Sequence, residues 1–456
     1  MIAAMSRAPA PGDHEAASGP PPAPRRRRVF WGWWIVAGAV VAHFAAIGAG
    51  GGIAGVFLRP MTEDLGWSAA EYTLGGSAAL LVAGLAGFVI GPLVDRYGAR
   101  PLMLCGVCAY AASFLGMSRI DALWQFIALS MVAGGAGFSM IGPLVVNATL
   151  SKWFVVRRGW AIALGSSGVS LAGLIMPVTM TRVVDSIGWR DAYVFLAVFM
   201  FLIVVPVALI MRRRPEDYGQ LPDGIDPGAR EGFEAAATEA QAYDAANSYT
   251  RREALRTPAT WLLILGYGLN TMALTAVLVH AIPFMTDHGF TRAEAALAIA
   301  VNGGANLSSK FVWGYFLQRV HVRNLAATAL SISATGVTLM LISAQLGALP
   351  AMFVAFFFWG FGFGGTVPLS EFIWAKYFGR VHIGAVRGVG VPFTIVLGAV
   401  GPILAGIYFD AVGSYEGVFA AFVAAYLCGA LAILASREPP PKQLPAVAAG
   451  RPGASG

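Results

Sequence analysis

The sequence predicts an all-α membrane protein, with twelve transmembrane helices arranged as two six-helix bundles of like orientation. Three observations carry that expectation. Only 12% of the 456 residues are charged, against roughly 25% in soluble domains, while 57% are hydrophobic and the mean hydropathy is +0.67. The apolar sequence divides into stretches long enough to cross a bilayer. The second half of the chain repeats landmarks of the first.

Taken in order, residues 1–30 are a Pro- and Ala-rich tail ending in Arg25, Arg26, Arg27 and Arg28. It has no apolar run leading to a cleavage site, so it does not read as a signal peptide, and its composition predicts disorder. Residues 31–211 hold six apolar segments, near 31–58, 69–92, 101–118, 122–148, 158–183 and 191–211, each about the ~20 residues a spanning helix needs. Residues 212–257 are a polar central loop with an acidic, Ala-rich stretch around Glu231–Asp244. Six more segments fill residues 258–436, near 258–283, 293–317, 324–344, 349–373, 384–409 and 416–436, and residues 437–456 form a second disordered tail. Trp31, Trp33, Trp34 and Trp261 stand at segment ends, where an interfacial aromatic belt is expected. Cys105, Cys108 and Cys428 all lie in apolar segments, which predicts neither a disulfide framework nor a metal site.

Orientation follows from the basic residues. With the amino terminus inside, all but six of the 31 Lys and Arg are cytoplasmic, the exceptions being Arg59, Arg119, Arg182, Arg190, Arg292 and the intrahelical Lys310. This positive-inside bias predicts that both termini are cytoplasmic. It also accounts for the formal charge of +7 without a nucleic-acid partner.

The chain is written twice. L-G-W-S-A-A-E (65–71) and H-G-F-T-R-A-E (288–294) match at an offset of 223, Gly66 to Gly289. Both read as capping boxes, Ser68 with Glu71 and Thr291 with Glu294, which gives those carboxylates a structural rather than a proton-carrying role. Gly91, Arg96 and Arg100 correspond to Gly314, Arg319 and Arg323, with Gln318 in place of Asp95; Lys152 corresponds to Lys376; Pro177, Asp185 and Gly188 correspond to Pro402, Asp410 and Gly413. Parallel repeats of this kind place a substrate site at their interface near the bilayer midplane. Such duplication points to rocking-type transport.

On the eighth segment Asn302, Asn306 and Lys310 stand at i, i+4 and i+8 and so share one helix face. An ammonium inside a bilayer costs about 2.5–3.5 kcal/mol even on the lenient insertion scale and needs a cavity or a partner. A carboxylate substrate would compensate it; snorkelling to headgroups is the rival reading, and the two amides on the same face favour the site. His43, among small residues in the first segment, fits either a proton carrier or a neutral histidine bonded to a neighbouring helix. His280, just before Pro283, fits either an outer vestibule or a helix cap.

G-P-L-V-D-R-Y-G-A-R (91–100) resembles the loop between helices 2 and 3 of the major facilitator superfamily. W-G-W-W (31–34), W-F-V-V-R-R-G-W-A (153–161), R-R-R-P-E-D-Y-G (212–219), H-A-I-P-F (280–284) and Y-F-G-R-V-H-I-G-A-V-R-G (377–388) resemble the monocarboxylate transporter family and its bacterial relatives, including the oxalate–formate exchangers. The likeness spans nearly everything except the tails and the central loop. It implies the 6+6 major facilitator fold, a bacterial inner membrane, and a substrate carboxylate on Lys310, the position of the family's helix-8 cation. Some members have an acidic residue where Asn306 stands and a helix-1 lysine where Gly52 stands. The resemblance further implies a cytoplasmic latch in which Asp95, with Arg96 and Arg100 beside it, binds the start of helix 11 near Arg387. Glu371 has Lys376 or Arg387 as its candidate partners.

No H-E-x-x-H, no nucleotide loop and no paired intramembrane carboxylates occur, so neither an enzyme nor a primary pump is expected. The expected function is secondary active transport of a small organic anion by alternating access, coupled to protons, in a monomer with no cofactor and no metal. The alternatives are an oxalate–formate type exchanger, an exporter of amphipathic compounds, and, in a different class, a transporter-like nutrient sensor.

Overall fold

The computed structural model describes residues 30–154, 157–224, 248–317, 319–379, 383–440 and 442. The two predicted disordered tails, most of the acidic central stretch, and Gln318 therefore lie outside the described residues. The protein is a multi-pass, all-helical membrane protein of twelve spans in two six-helix bundles.

The first span, α1, is Gly32–Gly48 continued by Gly51–Leu65 across a 50° bend. The bend falls at Gly50–Gly52, where no side chain stiffens the backbone. It is followed by α2 (Ala69–Tyr97), α3 (Ala99–Met117) and α4 (Leu123–Trp153). α4 is not a regular helix: it contains a π-helical turn at Ala133–Phe138 and a break at Gly142 before Pro143. α5 and α6 form one run, Trp160–Ile210, that reverses at Gly188, whose φ of 81° and ψ of 164° only glycine adopts without strain. The second bundle contains α7 (Pro258–Asp287), α8 (Arg292–Leu317), α9 (Val322–Leu346), α10 (Leu349–Phe378), α11 (Ile383–Val412) and α12 (Glu416–Ala435). α8 does not reach the apolarity of a span by composition alone. It carries Asn302, Asn306 and Lys310.

Both expected capping boxes are present. Ser68 Oγ accepts from the Glu71 N–H and Glu71 returns a bond to the Ser68 N–H. Thr291 and Glu294 do the same at the start of α8. The basic motif after α6 serves packing: the Arg212 guanidinium lies 3.6 Å from the Trp31 ring centroid and 4.2 Å from that of Tyr218.

The two bundles meet mainly through α2 against α11 and α5 against α8, pairings that the internal repeat exchanges. At the end of the molecule remote from the termini, here the distal end, they are bolted together. Arg59 pairs with Asp287. Arg292 reaches Asp185 at 3.0 Å and the Val56 carbonyl at 2.8 Å. The Asp410 carboxylate accepts from the Ala69 and Ala70 N–H groups at 3.1 and 3.0 Å, capping α2 from the other bundle. At the opposite, terminal end, the ion pairs among the described residues stay within one bundle: Asp95 with Lys152, Glu371 with Arg387, and Lys376 with Glu438. The molecule is closed distally.

Candidate functional site

Small residues bring three helices together at mid-membrane. A Cβ added at Gly168 of α5 would lie 2.0 Å from the Val40 carbonyl oxygen of α1, and one at Gly303 of α8 would lie 2.3 Å from the Leu174 amide of α5. Backbones that close leave polar side chains on these faces with one another as partners. α5 is the shared middle element, so groups on α1 and α8 meet across it.

Lys310 is half-buried, and its ammonium donates to the Ser166 carbonyl at 3.1 Å. The chain is interrupted at Ser166, between Arg158–Gly165 and the helix from Ser167. Its carbonyl accepts the short-range Val169 N–H bond and has a lone pair left for the lysine. One turn along, Asn306 Oδ1 accepts from the Ser170 hydroxyl at 2.6 Å. Both bonds join the two bundles. No ion pair involves Lys310 among the described residues, so its charge is met by dipoles alone.

His43 of α1 is buried, and Nδ1–H donates to the Ala39 carbonyl at 2.9 Å. That tautomer leaves Nε2 as an acceptor. The structure thus sets Lys310 and Asn306 against α5, which also packs closely on α1, the helix of His43. Asn302 is buried too, with its backbone against Gly360 of α10 and its Nδ2 without a partner.

His280 does not join them. It is fully buried inside the second bundle, where Nε2 meets the Pro402 carbonyl at 3.0 Å and Nδ1 meets the Tyr415 hydroxyl at 3.2 Å. Nε2–H must donate to the carbonyl, so Nδ1 accepts from the tyrosine, and both ring nitrogens are occupied. Its expected place among the substrate-binding residues is corrected accordingly: it ties α7 to α11 and α12.

The expected latch contacts are not made in this distally closed conformation. Asp95 binds Lys152 at 2.7 Å, within its own bundle, and Arg387 binds Glu371, within the other. Arg96 and Arg100 are exposed, Arg96 lying over the neighbouring Tyr97 ring. The reason is the distal closure, which joins the bundles at one end and leaves each charge at the terminal end to a partner on its own side. Glu371 takes Arg387 of its two candidates.

The sequence reading missed Ser166 and Ser170. Their signal was available: spaced i, i+4 on α5 and followed by Gly173, they form a small-residue face whose period matches Asn306 and Lys310.

Comparison with known proteins agrees with this architecture. A sequence model of the Major Facilitator Superfamily matches residues 38–391 and 263–454. The chain is 21% identical to the uncharacterized MFS-type transporter YcxA of Bacillus subtilis, over 79% of this chain and 84% of that one. It is 25% identical to human monocarboxylate transporter 11, over 80% and 74%, and 23% identical to the MFS transporter asaE of Aspergillus flavus, over 72% and 69%. Among solved structures, the E. coli xylose transporter XylE in a partially occluded inward-open conformation superposes with a TM-score of 0.66 at 10% identity, covering 88% of this chain and 96% of that one.

Proposed function

The chain belongs to the major facilitator superfamily, and we propose that it is a secondary transporter that carries a small organic anion, a monocarboxylate or a related carboxylate, past the α5–α8 contact. The observation that carries this reading is the ammonium of Lys310, held on α8 between the bundles with only a backbone carbonyl to meet it. A substrate carboxylate would offer the ammonium a full compensating charge, where the Ser166 carbonyl offers only a dipole. Exchanging Ser166 for substrate would also release one of the two bonds that hold α5 to α8, which couples binding to movement of the halves. The likeness to a human monocarboxylate transporter supports the same class.

The positive-inside distribution of Lys and Arg makes the terminal end cytoplasmic, so the distally closed conformation faces inward. The membrane is then the bacterial inner membrane. Proton coupling falls to His43, a buried histidine on the helix that packs against α5, and the protein works as a symporter. The deciding experiment is a proteoliposome panel of labelled mono- and dicarboxylates with and without an imposed pH gradient. Lys310→Ala is expected to abolish uptake while still inserting, with Lys310→Arg retaining a fraction. Wild-type uptake by Lys310→Ala would overturn the anion site. His43→Asn is expected to leave exchange intact while accumulation no longer follows the pH gradient.

A further inference from the structure

A groove of about 330 Å³ lies on the first bundle at its distal end, between the last turn of α3 and the first turns of α4. Both sides arrange its lining in the same order. On α4, Trp124 and Gln125 stand at the distal start, and Ala128 and Leu129 follow one turn deeper. On the α3 side Arg119 is outermost and Gly116 deeper. Donor groups therefore stand at headgroup level and apolar groups at the level of the acyl chains. Trp124, Ala128 and Val132, at i, i+4 and i+8, are all exposed, and because the distal end is closed this stripe is turned to lipid rather than to a central opening. At the floor the helices are in close contact, since a Cβ on Gly116 would lie 2.9 Å from both Leu129 methyls.

The lining side chains at the mouth offer donors and no free acceptor. Gln125 Oε1 already accepts from the Asp121 and Ala122 N–H groups at 3.0 and 3.3 Å, which leaves its amide N–H groups to spare. The Trp124 indole N–H and the Arg119 guanidinium make no hydrogen bond or ion pair among the described residues. Neighbouring charges are matched without Arg119: Arg190 takes Asp64 and Asp121 at 3.3 and 3.5 Å, and the Ile120 carbonyl at 3.3 Å. An acceptor-rich anion fits this set of donors. The apolar walls one turn deeper require a hydrocarbon chain on the same molecule.

We propose that this groove is a binding site for one anionic phospholipid of the distal leaflet. Its phosphodiester accepts from the Arg119 guanidinium, the Trp124 indole and the Gln125 carboxamide, while an acyl chain runs over Gly116, Ala128 and Leu129. A zwitterionic lipid gains less, because Asp121, the carboxylate nearest in sequence to Arg119, is already held by Arg190. The site rests neither on Lys310 nor on the transport reading.

The test is fluorescence quenching of the purified full chain in dioleoyl phosphatidylcholine vesicles containing phosphatidylglycerol with brominated chains, and in the converse mixture with brominated phosphatidylcholine. The Trp124 contribution is the difference between wild type and Trp124→Phe. Phosphatidylglycerol is expected to quench it with about fivefold preference over phosphatidylcholine, the worth of one arginine against an anionic lipid. Arg119→Gln should bring that ratio to about one, while Arg182→Gln, which removes another distal arginine, leaves it unchanged. Ala128→Phe fills the groove from α4, should abolish the preference, and serves if Arg119→Gln does not fold. Equal quenching by the two lipids in wild type would make Trp124 an ordinary interfacial tryptophan and overturn the proposal. So would an equal loss of preference in Arg182→Gln, which would mean general surface charge, or displacement of the brominated lipid by added inorganic phosphate, which would mean a site for a free anion.

Discussion

His280 and His43 show how differently one residue type is used within a single membrane protein. Both are buried, yet His280 has a partner on each ring nitrogen and His43 has Nε2 to spare. His280→Ala should therefore lower thermal stability, by about 1–3 kcal/mol for the stranded groups, and leave the KM of the transported carboxylate unchanged. An unchanged melting temperature with a raised KM would put His280 in the translocation path instead. At the membrane surface, Lys442 binds Glu253 at 2.6 Å, and with Thr250 it holds that carboxyl down at about 2. A depressed carboxylate contributes above its ordinary range and is lost only as pH falls through the lowered value. The contact that pins Lys442 thus persists between pH 5 and pH 8. Glu253→Gln should expose the Lys442–Gln443 bond to trypsin across that whole range, and equal cleavage of both proteins would sink the assignment.

At the scale of elements, the α1–α5–α8 contact depends on glycine at the points of closest approach. The carbon added by Gly303→Ala meets backbone that cannot swing aside, so overpacking of about 1–3 kcal/mol is expected, together with loss of uptake. The adjacent Gly304→Ala is the control, since its methyl would sit 3.7 Å from a Leu174 methyl, an ordinary contact. Similar melting temperatures for the two variants would mean that α5 and α8 are not in backbone contact. The composition of α8 makes the same point from the other side. A helix too polar to be recognised as a span by hydropathy is held in the membrane because α5 and α10 cover its amides, so its polarity marks the seam. The spans themselves were legible to within a few residues, with two differences of substance: α1 continues past a bend to Leu65, and α4 is interrupted by a π turn. Both depend on how neighbouring helices press on glycine-rich backbone, which hydropathy does not register.

For the whole molecule, the internal repeat reappears as a pair of distal bolts. Asp185 and Asp410 are counterparts in the two halves, and each reaches across to the first residues of the other half's second span, Arg292 of α8 and Ala69–Ala70 of α2. One bolt is an ion pair and the other a carboxylate on a helix terminus. Opening the distal side must break both. Asp410→Asn, losing a capping charge worth about 0.5–2 kcal/mol, should shift the resting population several-fold toward distal opening. The readout is maleimide labelling from the distal side of Ala399→Cys, placed where Ser77 now bonds the Ala399 carbonyl across the seam at 2.7 Å, in a background without Cys105, Cys108 and Cys428. Unchanged labelling would show that this cap does not hold the closed state.

The number of spans, the twofold repeat, the capping boxes and the face shared by Asn306 and Lys310 were all readable from residue order, because each depends on local hydropathy or on helical spacing. Which charges and nitrogens find partners was not. Asp95 with Lys152, His280 between Pro402 and Tyr415, and Asn306 with Ser170 are distances between segments far apart in the chain. Only the packed bundles, closed at one end, decide which group comes within hydrogen-bonding reach of another.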